Sequence, residues 1–189
     1  RRFIVIGLSF LFICVLAIAV VSVAQASLPG DSLYQMKLAL EQARHDLSTD
    51  QVMHARLELE YFERRLDELQ ALLQTDRAAL ALDAVETALI ESTRIVTALP
   101  PEAQGDLRAQ LARLALRTEA LMTQWQQAGG NDPQIDRVRR LAQAIEEAAS
   151  NPAISIGKLL LVLEGALAGA GDQSGGVQIA ARTIELPPD

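Results

Sequence analysis

The chain opens on an apolar run, Phe3 to Ala26, that contains no charged residue. Over 3–24 a helix would measure about 33 Å, against a hydrocarbon core of about 30 Å. A backbone in lipid must pair its amides within its own segment, so the β-branched residues of this run do not argue for a strand, and one transmembrane helix is predicted. Beyond it the pattern changes to short amphipathic repeats. Leu33, Met36, Leu40, Ala43 and Leu47 recur at 3-4 spacing and predict a helix with a narrow apolar stripe, interrupted by Ser48-Thr49-Asp50. Val52, Ala55, Leu59, Phe62, Leu66, Leu69 and Leu73 follow in strict 3-4 alternation, the seam pattern of a coiled coil. Two such stripes across a tight turn predict an antiparallel helical hairpin over 27–75.

Leu82, Val85, Leu89, Val96 and Leu99 keep helical spacing, with Ser92 filling one slot. Thr75-Asp76 either caps a new helix or is crossed by one long helix from Asp50 to Ala98. Pro100-Pro101 ends the segment, because a residue before proline is pushed out of the α region. Leu107, Leu111, Leu114, Leu121 and Trp125 then predict a helix that stops at Gly129-Gly130. Asp132-Pro133 starts the next, carried by Ile135, Val138, Leu141 and Ile145 and closed at Asn151-Pro152. A short apolar helix is expected over 156–167, a flexible linker over 169–176, and a weak strand at Val177, Ile179 and Ala181 in an extended tail. The expected fold class is all-α: a transmembrane helix over 1–26, a helical hairpin and bundle over 27–168 (27–75, 76–128 and 133–168), and a tail over 169–189.

Orientation follows from charge. Arg1 and Arg2 precede the apolar run and the next basic residue is Lys37, which puts the amino terminus in the cytoplasm and the bulk of the chain outside. Ala24-Gln25-Ala26 before Ser27 also fits a signal-peptidase site. A retained anchor and a cleaved signal both export the rest. Cys14, the only cysteine, lies within the apolar run, so an intrachain disulfide and a thiolate metal site are excluded. About 160 residues remain after the anchor, enough for one domain with a core. A net charge of −7 argues against a nucleic-acid partner, and aromatics at 4% leave a composition of good helix formers. The expected partners are membrane lipid along 3–24 and another protein.

Candidate chemistry is sparse. Ser27-Leu28-Pro29-Gly30-Asp31 reads as a turn, with Asp31 or Ser32 capping the helix that follows and Lys37 pairing to Glu41. Glu41 and His45 before the turn mirror His54 and Glu58 after it, so the histidines of an antiparallel hairpin would face each other, and helical carboxylates and imidazoles at i, i+4 can hold zinc. At about 100° per residue, however, His45 points nearly opposite its apolar stripe and His54 well off its own. These four residues therefore read as solvated hairpin ends, and no metal, catalytic or cofactor-binding residue is expected. Glu58, Glu60, Glu63, Arg64, Arg65, Asp67 and Glu68 read as a solvated face, with Glu60 and Arg64 an i, i+4 pair. Trp125 reads as core. G-x-S-x-G, H-E-x-x-H and a phosphate-binding glycine loop are absent, which speaks against an enzyme.

Leu28-Pro29-Gly30-Asp31-Ser32-Leu33-Tyr34-Gln35-Met36-Lys37, followed by Glu60-Tyr61-Phe62-Glu63-Arg64-Arg65-Leu66-Asp67-Glu68, resembles a bacterial extracytoplasmic domain family of unknown function. Its opening is Leu-Pro-Gly-Asp-x-Leu-Tyr-x-x-Lys, and its second helix carries Arg-Leu-x-Glu. The resemblance covers about 27–73. It implies a domain outside the membrane behind one transmembrane helix, in some members as part of an anti-sigma-like regulator, and it carries no catalytic residues over. The expected role is a membrane-anchored interaction domain, the sensing part of a transmembrane regulator; the alternative is an accessory or assembly subunit of a larger membrane complex.

Overall fold

A computed structural model describes the chain over residues 2–48, 50–151 and at 165. Every regular element among these residues is helical: α1 (Arg2–Gln25), α2 (Tyr34–Asp46), α3 (Gln51–Leu72), α4 (Ala78–Ala98), α5 (Pro101–Gln127) and α6 (Pro133–Ser150). The all-α class is thus observed. The apolar stretch 156–167, save Gly165, and the tail with its weak strand lie outside the described residues. Among the described residues no helix is long and apolar enough to cross a membrane.

Local chemistry sets most of the helix ends. Asp50 accepts a hydrogen bond from the Val52 N–H and starts α3; Asp132 does the same for Gln134 and starts α6, with Pro133 in the first turn. Pro101 opens α5 one residue after the extended Pro100. Beyond α5, Gly129 takes a left-handed backbone at φ +94°, and Gly130 lies under Trp125 so closely that a side chain there would strike the indole. The stretch 50–98 is two helices, parted at Leu73–Arg77, where the Thr75 hydroxyl donates to the Leu72 carbonyl.

Four helices, α3 to α6, enclose the core, with α3 against α4 and α5, and α5 against α6. Leu59, Phe62, Leu66 and Leu69 of α3 share one cluster with Leu82, Val85 and Leu89 of α4 and Leu111 and Met122 of α5, and α6, packed on α5 and α4, adds Ile135 and Ile145, all fully buried. Each such side chain contributes roughly 1.5–3 kcal/mol of transfer free energy. The polar members of this interior are satisfied: Ser92 donates to the Glu58 carbonyl, Thr93 to that of Leu89 and Thr118 to that of Leu114. Trp125 is buried, as expected of a core residue.

The second helix departs from expectation. Its apolar stripe faces outward, with Met36 43%, Leu40 36% and Leu47 83% exposed, while Lys37 and Glu41 are buried. The reason lies in α3, whose seam is already consumed by α4 and α5. What α3 offers α2 is its adjacent face, His54, Glu58, Tyr61, Arg65 and Glu68, again at 3-4 spacing, and α2 answers with Tyr34, Lys37, Glu41 and His45. Arg65 and Glu68, expected on a solvated face, are therefore buried. The start of α2 differs too: Leu33 precedes it without a side-chain cap, and Asp31 is engaged elsewhere.

Candidate functional site

The polar seam between α2 and α3 runs antiparallel and has two halves. In the half nearer the start of α2, Glu68 is the hub. It takes a hydrogen bond from the Tyr34 hydroxyl at 3.1 Å, pairs with the Lys37 ammonium, and accepts from the Arg65 guanidinium at 2.5 Å. Arg65 also pairs with Glu41, which Arg64 reaches at 3.3 Å, while Arg64 binds Glu60 at 2.5 Å as the i, i+4 spacing predicts. Tyr61 donates to the Glu41 carbonyl at 3.0 Å. Two buried cations, Lys37 and Arg65, thus meet two buried carboxylates, so the interior carries no net charge from them. Burial pushes the Tyr34 phenol above its ordinary range, with Arg65 opposing and Glu68 adding, so Tyr34 stays a donor. Burial works against the Arg65 charge, but Glu68 and Glu41 outweigh it and raise its pKa. Lys37 pairs with Glu68 rather than with Glu41, the partner expected from i, i+4 spacing.

The other half holds the histidines. His45 Nε2 lies 2.9 Å from Glu58 Oε1 and faces His54 Nε2, the two rings standing at 81° to each other. One ligand-type atom from each of His45, His54 and Glu58 lies within 4.8 Å of the other two. Beside the His45 ring, Asp46 Oδ1 is 3.7 Å from Nδ1. Burial, then the neighbouring His45, holds His54 below its ordinary value, and burial raises Glu58 against the pull of His45. The reading of these residues as solvated, diverging ends rested on α2 docking through its apolar stripe. Because α2 docks through the opposite face, His45, His54 and Glu58 converge and are half-buried. Glu41, the fourth candidate, is taken by the arginines. The signal that could have revealed the seam was in view: polar and charged residues repeating at 3-4 spacing on both sides of one turn.

A groove of about 500 Å³ opens between α2, α3 and α4, with Tyr34, Glu41, His45, Glu58, Tyr61 and Arg65 along one wall and Leu80, Asp83, Thr87 and Glu91 along the other. The site therefore joins a buried charge cluster, an imidazole–carboxylate cluster and a concave surface.

The segment before α2 is clamped to the same region. Arg77, in the turn between α3 and α4, donates to the Pro29 carbonyl and to Asp31 Oδ1 at 2.8 Å. Asp31 Oδ2 also accepts from the Leu28 N–H at 2.7 Å, and these two donors hold its carboxyl below the usual value. Gly30 has φ +91°, and a Cβ there would come within 3.0 Å of the Arg77 guanidinium. Lys37 adds a hydrogen bond to the Ser27 carbonyl at 3.2 Å. The Leu-Pro-Gly-Asp opening is thus a backbone loop shaped to receive one arginine.

These features define a helical-bundle domain in which an amino-terminal loop and helix are bound to the body by buried ion pairs. Residues 26–167 match the family described as Domain of unknown function (DUF5667), and the chain belongs to that family. Comparison with curated proteins and with solved structures yields no match.

Proposed function

We propose that this chain is a non-enzymatic, membrane-anchored protein whose helical domain lies outside the cytoplasm and binds a helical segment of another protein through the outward face of α2. The observation that carries the reading is the exposure of Met36, Leu40 and Leu47. Together with Ala43 they keep the 3-4 spacing of a helix-pairing seam, and they sit on a helix whose other face is held by ion pairs. An apolar helix with no charge after Arg2 precedes this domain, Arg1 and Arg2 stand at its amino-terminal end, and the next basic residue is Lys37, which supports a tether with the domain outside. The exposed polar residues of α2, among them Gln35, Gln42, Arg44 and Asp46, form no basic face, which favours protein over lipid headgroups. In this reading the domain is the sensing part of an anti-sigma-like transmembrane regulator.

Photo-crosslinking from position 40 of the full chain in its native membrane tests the reading. The expected result is one protein adduct, mapped to a helical segment and lost on Leu47→Glu. Adducts with lipid alone, or protease access to the domain only from the cytoplasmic side, overturn it. An adduct with stable subunits of a large complex instead selects the accessory-subunit reading.

A further inference from the structure

We propose that His45, His54 and Glu58 form a binding site for one divalent transition-metal ion of the zinc type, closing the turn between α2 and α3. The proposal stands independently of the partner assigned to α2. Three groups with lone pairs converge: His45 Nε2 faces His54 Nε2 and approaches Glu58 Oε1, and one ligand atom from each of the three residues lies within 4.8 Å of the other two. Ligand atoms on a tetrahedral zinc, each about 2.0–2.1 Å from the metal, lie about 3.3 Å apart. The observed 2.9 Å between His45 Nε2 and Glu58 Oε1 is close to that separation. The two facing imidazole nitrogens stand closer together than that, so the rings must part to admit the ion.

The chemistry of the donors selects the ion. Two imidazoles and one carboxylate suit zinc and its borderline neighbours. Calcium and magnesium favour shells of oxygen, and monovalent copper favours sulfur. The backbone already holds the ligands in place, because His54 and Glu58 are one turn apart on α3 and Asp50 caps that helix just ahead of them. His45 and Glu58 also line the groove, so a fourth position is left for water or for a group entering from that side. An ion here ties the end of α2 to the first turns of α3, whereas Lys37 and Glu68 secure its beginning. Both ends of the helix that carries the outward apolar face are then pinned.

The test uses the full 189-residue chain in detergent micelles, stripped of metal and titrated with zinc chloride by calorimetry. One ion per chain is expected, with a melting temperature that climbs as zinc is added and does not respond to magnesium. His54→Gln and Glu58→Gln should each weaken zinc at least about tenfold, since even outer-shell changes cost about 10–100-fold. Far-UV circular dichroism checks that each variant keeps its helices. Should His54→Gln fail to fold, Glu58→Gln, which keeps the side-chain shape, and the wild-type stoichiometry decide the matter. No saturable zinc binding, or binding unchanged in the folded variants, overturns the site. Equal displacement by magnesium does so as well.

Discussion

Lys37 and Glu68 stand 31 positions apart in the chain and form an ion pair whose side chains are 7% and 5% exposed. A buried pair adds little over a well-packed apolar pair, yet losing one partner strands the other charge and costs about 3–5 kcal/mol. Glu68→Ala should therefore destabilise the domain by about that amount in urea unfolding. Lys37→Met with Glu68→Gln should cost less than the two single changes summed. A loss below about 0.5 kcal/mol for Glu68→Ala would show that α2 is not held by this pair.

Gly30 should resist substitution. Its φ of +91° and the guanidinium of Arg77 3.0 Å from a Cβ both oppose a side chain, so Gly30→Ala should cost roughly 1–3 kcal/mol. Gly105, in α5 with open space around it, is the control. Gly105→Ala should stabilise by up to about 1 kcal/mol through helix propensity. Melting temperatures of the two variants should move in opposite directions.

Asp31 links the loop to pH. Its carboxyl is held below the ordinary value of 3.8 by the Leu28 N–H and then by Arg77. A depressed folded-state pKa gives stability that is present above the unfolded value and lost as pH falls through the folded one. Between pH 6 and pH 3 the wild type should lose more stability than Asp31→Asn, measured as the shift in the urea midpoint. Equal losses in both proteins would remove Asp31 from the acid limb.

The orientation of α2 can be read from substitution alone. Leu47 is solvent-facing, so Leu47→Gln should change stability by no more than about 0.5 kcal/mol. Leu66, fully buried at the equivalent apolar spacing of α3, should cost about 2–5 kcal/mol as Leu66→Ala. Comparable losses at the two positions would mean that the apolar stripe of α2 is docked after all.

Capping makes the last prediction. Asp132 accepts the Gln134 N–H at 2.8 Å, and Asp132→Ala should cost about 1 kcal/mol, with Asp132→Asn restoring most of it. Thermal unfolding of the three proteins decides it.

Helix positions were largely legible in the sequence, because they depend on groups close together in the chain. Pro101, Pro133, Gly129 and the capping aspartates 50 and 132 act on their own turns, and the 3-4 spacing of α3, α4 and α6 marked their buried faces directly. The one ambiguity, at Thr75-Asp76, was local in another sense: both continuation and interruption were compatible with the spacing. The Thr75 hydroxyl bonded to Leu72 and the grip of Arg77 on Pro29 resolved it as a break.

What the sequence by itself determined is a set of helices, most of their ends, and the apolar seam that draws α3 into the core. Only the tertiary structure decided which face of α2 meets α3. Both faces of α2 repeat at 3-4 spacing, and by local hydrophobicity the apolar one should be buried. With the seam of α3 filled by α4 and α5, the remaining contact surface was a row of charges. Matching those charges to Lys37 and Glu41 turned α2 over, left Met36, Leu40 and Leu47 facing out, and brought His45, His54 and Glu58 together.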